Sequence, residues 1–195
     1  VGSEMCIRDR PHSDLFSYSY SKRCMAIQID AYRKKYKSNF SYLIPCNLYG
    51  EFDKFDEIQG HFVGALINKI LIAKKNGQKS IQLFGDGAPL RQFMHAKDLA
   101  FIIKEVVDKN IRENFNVGNN ENFSILKIAK LALSVCDAEN LEIKFDKNKP
   151  NGQMRKDIDL SLMKSLLPDF KPTLLKDGLK DVYEKLGNKW VRQFF

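Results

Sequence analysis

Apolar positions recur along the chain with two alternating periods. Between 18 and 37, Tyr18, Lys22, Met25, Ile29, Tyr32 and Tyr36 fall at steps of three and four. That spacing lines one face of an α-helix, and Ser17 stands where its N-cap is expected. The aromatic and β-branched run 40–44 predicts a strand that stops at Pro45. A second helix is predicted over 58–75, with Phe62, Leu66 and Ile70 on one face and Gly77 just past its end. Residues 80–84 predict a strand closed by Gly85-Asp86-Gly87, a strong turn signal.

The alternation continues to the end. A helix over 97–109 would bury Leu99, Ile102, Ile103, Val106 and Val107, with Asp98 favouring its first turn through capping and the helix dipole. Residues 115–117 predict a strand, followed by the Gly118-Asn119-Asn120 turn. Ser124 caps a helix running to about Cys136 through Ile125, Ile128, Ala132 and Val135. After it come a strand over 141–145, a polar loop over 146–156 and an amphipathic helix over 174–186. Phe93 and Met94 are expected in the core. Strands alternating with helices of this length predict a mostly parallel α/β sheet with covering helices. No Gly-rich strand–turn–helix fingerprint occurs near the start, so a dinucleotide-binding half would lie upstream of residue 11.

Composition narrows the class. The 195 residues are 44% hydrophobic and 29% charged, which suits one globular domain or a large piece of a bigger protein and excludes a disordered chain. The longest apolar stretch, 62–73, is interrupted by Asn68 and Lys69, well short of the roughly 20 residues a bilayer requires. The formal charge of +8 invites a nucleic-acid partner, yet no like-charged block exceeds Arg33-Lys34-Lys35. A small phosphorylated ligand uses such a surplus equally well, and neither nucleic acid nor membrane is the expected partner.

Cys6, Cys24, Cys46 and Cys136 show no C-x-x-C spacing, so structural zinc and a disulfide framework are not expected. His12, His61 and His95 are not at ligand spacing, which argues against a metal. No secretory signal pattern occurs, so the expected compartment is the cytoplasm. Residues 1–10 show neither period and run directly into Pro11; they resemble a non-native leader, and no functional claim rests on them.

The sharpest chemical signal is Tyr18-Ser-Tyr-Ser-Lys22. Positions four apart on a helix share a face, about 6 Å apart along the axis. A phenol ordinarily titrates near 10, and an ammonium one turn away favours the phenolate. Such a pair suits protonation of a carbonyl oxygen while hydride reaches the carbon. In isolation, a half-buried tyrosine above a snorkelling lysine explains the spacing as well.

Context alters that balance. The helix leads to a strand and then Pro45-Cys46-Asn47-Leu48-Tyr49-Gly50. Next come an Asp53/Phe55 loop with Gly60-His61-Phe62-Val63-Gly64, the block from Leu83 through Arg91-Gln92-Phe93-Met94-His95-Ala96-Lys97-Asp98, and finally Lys149-Pro150-Asn151-Gly152-Gln153-Met154-Arg155-Lys156. In this order the blocks resemble the extended short-chain dehydrogenase/reductase family, and within it the GDP-sugar epimerase-reductases, from about Phe16 to Leu186.

The resemblance implies the C-terminal part of a Rossmann-type doubly wound parallel sheet plus a smaller α/β substrate-binding domain. Residues 11–60 would be the remnant of the NADP-binding domain. Residues 61–195 would be mainly the substrate-binding domain, with some elements returning to the Rossmann sheet. It also implies NADPH-dependent conversion of GDP-4-keto-6-deoxy-D-mannose to GDP-L-fucose by a homodimer. Tyr18 would be the catalytic acid, with Lys22 supporting it and holding the nicotinamide ribose. Pro45, Cys46, Asn47 and Leu48 would line the cofactor, and His61 would serve both the cofactor site and the epimerisations. A partnering cysteine and serine would lie upstream, since neither Cys6 nor Cys24 stands where that cysteine belongs.

Arg91 would grip the pyrophosphate of the GDP-sugar, with Lys69, Phe84, Asn151 and Lys156 lining the substrate. Three positions depart from the pattern: Lys69 stands for an arginine, Phe84 for a tryptophan and Asn151 for an aspartate. An amide offers guanine one acceptor where a carboxylate offers two, so Asn151 would weaken guanine selectivity. The alternatives are a nucleotide-sugar 4-epimerase or 4,6-dehydratase using the same Tyr–Lys pair, and a non-catalytic module binding anions or RNA.

Overall fold

A computed structural model describes residues 16–56 and 60–194, with side chains to 186. The segment 1–10, with Cys6, and His12 lie outside the described residues, as does the start of the helix expected from 58. The chain order is α1 (Phe16–Tyr36), β1 (Leu43–Pro45), β2 (Asn47–Tyr49), α2 (Phe62–Lys75), β3 (Ser80–Phe84), β4 (Leu90–His95) and α3 (Ala96–Asp108). Then follow β5 (Phe115–Val117), β6 (Asn122–Ser124), α4 (Ile125–Val135), β7 (Glu142–Asp146), α5 (Ser161–Leu166) and α6 (Leu175–Phe194).

Parallel pairing dominates. β1 lies beside β5, β2 beside β4 and β3 beside β7, all parallel, while β6 is antiparallel to β4. β1 and β2 are nearly one strand. At Cys46 the chain changes neighbour, its amide donating to the Val117 carbonyl at 2.8 Å before Asn47 pairs with Phe93. Two apolar cores flank this switch. The larger gathers Tyr49, α2, α4 and α6 around Leu66, Ile70, Ile128, Ala132 and Leu179. The smaller joins Met94, Ile102, Phe115, Val117 and Met163, with Leu43, Cys46 and Leu48 packed against it. Tyr49 fits beneath α6 because position 178 is glycine: a Cβ there would lie 1.9 Å from its hydroxyl.

Helix ends follow backbone rules. Ser124 Oγ accepts from Lys127 N and caps α4, as its sequence position indicates. α2, α3 and α4 each stop on a left-handed residue, at Gly77, Asn110 and Asp137 respectively. In each the following amide reaches back five residues: Gln78 to Ala73, Ile111 to Val106 and Ala138 to Leu133, all at 2.9 Å. These are Schellman closures, two of them built without glycine.

Several local expectations are corrected. β4, whose two faces are both largely covered, has no polar alternation to mark it and reads from sequence only as part of a motif. Ser17 lies inside α1 rather than at its cap. In α3, Ile102 and Val106 are buried but Ile103 and Val107 are exposed, because only one stripe of the helix meets the sheet. Its cap is His95, whose Nδ1 accepts from Lys97 N. Asp98 turns instead to Thr173, accepting from its amide and its hydroxyl at 2.8 Å each. Phe93 and Met94 are buried as expected.

A polar knot ties α6 to the sheet. Asp181 Oδ2 lies 2.6 Å from Lys185 Nζ, 3.1 Å from Lys97 Nζ and 3.4 Å from His95 Nε2. Glu51 Oε1 lies 3.1 Å from Lys185 and 3.6 Å from Lys97. Burial pushes the His95 imidazole below its ordinary range, against the pull of Asp181 and Glu51. The Lys185 ammonium, followed by Lys97, holds the Asp181 carboxyl low; the Glu51 backbone amide and then Lys185 do the same for Glu51.

His95, Asp181 and Glu51 each have a folded value below the unfolded one. Their contribution to stability is therefore complete above the unfolded value and lost as pH falls through the folded one. The urea midpoint should decline below about pH 6.5 as the unfolded chain takes up the His95 proton, and decline again through the carboxylate range. His95→Gln should flatten the first of these steps. In the larger core, Ile128→Ala should cost about 2–5 kcal/mol in urea unfolding.

Candidate active site

The residues singled out from sequence lie in three parts of the fold. The first lies on α1 and the β1–β2 corner. Lys22 Nζ sits 5.5 Å from the centroid of the Tyr18 ring, so the four-residue spacing does place the two on one face. Tyr18 is 62% exposed, and α1 carries no buried residue. Nearby, the Tyr42 hydroxyl donates to the Lys22 carbonyl at 3.4 Å, and burial followed by Tyr18 pushes the Tyr42 phenol up.

In the corner, Pro45 is exposed while Cys46, Asn47 and Leu48 are half-buried. The Asn47 side-chain amide donates to the Gln92 carbonyl at 2.8 Å, fixing the corner on β4. Burial pushes the Cys46 thiol up to about 11, so at neutral pH it is no thiolate nucleophile. Cys136 is pushed up to about 12 by the same cause and lies in the larger core.

The second group stands at the start of α2. His61 is the residue before the helix, extended at φ −69° and ψ 161°, and its side chain makes no capping bond. Its Nδ1 lies 2.9 Å from Asp53 Oδ1. A carboxylate only accepts, so Nδ1 is the donor, and in the neutral ring Nε2 keeps its lone pair. Asp53 was visible in sequence as part of a loop motif, but its pairing with His61, eight residues on, leaves no local signature.

The third group surrounds the β3–β4 turn. Phe84 is exposed, with Lys69 Nζ 5.5 Å and Lys149 Nζ 5.8 Å from its ring centroid. Lys69 also donates to the Gln82 carbonyl at 3.1 Å. The aromatic face and two ammoniums form a surface that suits a planar, anionic ligand. Arg91 is half-buried on β4, its Nη1 donating to the Leu90 carbonyl at 2.8 Å, and desolvation lowers its guanidinium from the ordinary value. The 151–155 segment is pinned across it: Leu90 N donates to Met154 O at 2.8 Å, and a Cβ on Gly152 would lie 3.4 Å from Arg91 Nη2.

Asn151 has a structural partner. Its Oδ1 accepts from Asp86 N at 2.8 Å. The Ala88 amide, then the Asn151 side chain, hold the Asp86 carboxyl below its usual range. The amide oxygen thus engages the turn. Lys156 is exposed, and beside it Arg155 pairs with Asp157. Lys149 was legible only as the first residue of its motif block; its position over Phe84 comes from the fold.

Among the described residues, one cluster brings possible metal ligands together: Glu51, His95 and Asp181, whose ligand atoms lie within 4.8 Å of one another. Lys97 and Lys185 already balance the two carboxylates there. His95 Nδ1 accepts a backbone proton, so in the neutral ring Nε2 carries its own hydrogen and offers no lone pair. The cluster is a charge-balanced crosslink.

Parallel strands connected through covering helices make this a Rossmann-type α/β protein, and the tyrosine–lysine helix and the corner after it lie on that framework. The chain belongs to the NAD dependent epimerase/dehydratase family, whose model matches residues 3–118, a span that begins inside the 1–10 segment. It is 37% identical over 136 residues to a GDP-L-colitose synthase from Yersinia pseudotuberculosis, covering 68% of this chain and 44% of that protein. It is 33% identical over 175 residues to a GDP-L-fucose synthase from Dictyostelium discoideum, covering 88% and 54%. A crystal structure of a GDP-L-fucose synthetase from Naegleria fowleri bound to NADP superposes with a TM-score of 0.87 at 25% identity, over 98% of this chain and 61% of that one. The chain spans about half the length of the curated relatives it matches.

The β3–β4 turn offers a direct check of this geometry. Gly85 has φ +78°, and a Cβ there would meet Asn151 Oδ1 at 2.0 Å. Gly85→Ala should therefore destabilise by at least about 1–2 kcal/mol from the backbone alone, measured by thermal unfolding. Asn151→Ala should cost less, since it only removes hydrogen bonds.

Proposed function

We propose that this chain carries the acid–base and sugar-nucleotide residues of an NADPH-dependent epimerase-reductase that converts GDP-4-keto-6-deoxy-D-mannose to GDP-L-fucose. The observation that carries the reading is His61, exposed at the start of α2 with Nδ1 held by Asp53 and Nε2 free. A 4-epimerase or 4,6-dehydratase has use for the Tyr18–Lys22 pair, but inversion at the carbons beside a ketone needs an additional proton-transfer group, and His61 is one. The similarity to GDP-L-fucose and GDP-L-colitose synthases supports the same substrate class.

In this reading Tyr18 touches the sugar ketone and gives its proton to O4, and Lys22 steadies the phenolate that results. Lys22 and the 45–48 corner would hold NADP, which supplies the hydride when bound. The donor set is chemically suitable: Lys22 presents an exposed ammonium, and Asn47 fixes the corner on β4. The packing of Leu43, Cys46 and Leu48 with β5, α3 and α5 supports assigning those elements to the cofactor half. The division at residue 60 then becomes a partition in which 90–117 and 158–170 return to that half.

His61 serves one face of the carbon beside the ketone, taking its proton while the electron pair rests on the enolate oxygen, and the partnering cysteine expected upstream returns a proton to the opposite face. The polarised carbonyl makes that carbon acidic enough for an imidazole. Arg91 would bind the pyrophosphate through its planar fork, and Phe84 with Lys69 and Lys149 would receive the nucleotide. Lys156 would add charge at the rim. Asn151 serves this site by holding the Asp86 turn in place. Its engagement there supports a lesser part in reading guanine than the aspartate it replaces.

A homodimer and a cytoplasmic location complete the proposal. No helix among the described residues is long and apolar enough to cross a membrane. In the complete reading frame, Tyr18→Phe should lower NADPH-dependent reduction by about 10²–10⁴-fold while deuterium wash-in at C3 and C5 of the sugar continues. Reduction at the normal rate in that variant would refute the assignment. Absence of net NADPH oxidation by the unaltered enzyme would favour a 4-epimerase or 4,6-dehydratase instead.

A further inference from the structure

We infer that Asp53 is the positioning residue for His61, fixing the imidazole as its Nδ1–H tautomer and leaving Nε2 as the atom that moves the proton. This deepens the proposed function and rests on it only for the identity of the reaction. The contact itself stands on geometry. Asp53 is the anchored partner, its side chain 12% exposed against 82% for His61. Its amide donates to the Gly50 carbonyl at 3.2 Å, and its Oδ1 also accepts from Lys54 N at 2.8 Å. Phe55, two residues on, packs against the larger core. The carboxylate is therefore placed by the backbone and the core, not by the histidine.

The other oxygen of Asp53 is the telling one. Oδ2 is buried and has no hydrogen-bond partner among the described residues. Burying a carboxylate that is only half satisfied is costly, and an ornamental surface ion pair would let it turn to water. Here the first turn of α2 closes over it. A Cβ on Gly64 would lie 3.0 Å from the Lys54 carbonyl and 3.5 Å from Oδ2, so only glycine lets the helix start so near the loop. The partial positive charge of that helix end supports the anion without quenching it.

The competing structural use of His61 is as a cap, and its side chain makes no capping bond. It is turned away from its own helix and toward Asp53. Once Nε2 has taken a proton from the carbon, the ring is cationic and the Asp53 carboxylate stabilises it directly. A partnering cysteine, the one expected upstream, gives a proton to the opposite face of the enolate. Water then takes the proton from Nε2 and returns one to the thiolate, so the ring is again the Nδ1–H tautomer and charge and protons balance.

The first test uses this chain alone. Long-range proton–nitrogen NMR at pH 8 should show His61 with Nδ1 protonated and Nε2 bare. Asp53→Ala should move it toward the Nε2–H form that free imidazoles prefer. A wild-type ring found mainly as Nε2–H overturns the inference, and this holds even if the alanine variant does not fold.

The second test is kinetic, in the complete reading frame. Asp53→Ala should lower the ratio of deuterium wash-in to NADPH oxidation by about 10²-fold, and Asp53→Glu should restore part of it. An unchanged ratio in the alanine variant also overturns the inference. Full wash-in by His61→Gln would instead remove His61 from the epimerisation, a failure of the proposed function that the NMR result on Asp53 does not share.

Discussion

The interaction on which the arrangement depends is the parallel pairing of Leu43–Tyr49 with two different neighbours. Up to Pro45 the strand belongs to Val117 and the smaller core; from Asn47 it belongs to Phe93 and His95. The bond from Cys46 N to Val117 O bridges the change. Because side chains alternate along a strand, this single run delivers Cys46 and Leu48 to one core and Tyr49 to the other. Tyr18 with Lys22, Asp53 with His61, and Arg91 are positioned relative to it. α1 leads into it, the Asp53 loop leaves from it, and Arg91 stands on the strand beside it.

Much of this was legible in sequence because the signals were local. Helix periods, the Gly85–Gly87 turn and the Ser124 cap act within a few residues, and the tyrosine–lysine spacing directly encodes a shared face. What escaped was set by partners far along the chain. Asp98 has the position and charge of a capping residue, yet Thr173 offers it two donors inside a buried site, and His95 takes over the cap. β4 escaped because a strand covered on both sides loses its polar alternation. The site residues show the same division: Tyr18 and Lys22 could be paired from their spacing, whereas Asp53 with His61 and Lys149 with Phe84 could be paired only by the fold.

The departures from the family pattern also read differently once placed. Replacing aspartate by Asn151 looks from sequence like a loss of base recognition. In the fold, the amide oxygen takes the Asp86 amide proton, and the Asn151 side chain, after the Ala88 amide, helps hold the Asp86 carboxyl below its usual range. An aspartate would bring a second negative charge against Asp86. The substitution is thus matched to the turn it faces, and Lys69 keeps a cation at Phe84 although it lacks an arginine's fork.

The helix endings hold one more consequence. Asn110 and Asp137 occupy left-handed backbone with a side chain attached, where Gly77 does so freely. Both lie at reversals away from every group assigned a chemical role. They are small reserves of strain that evolution has left unspent, and relieving them offers a way to greater heat resistance with the reacting atoms undisturbed.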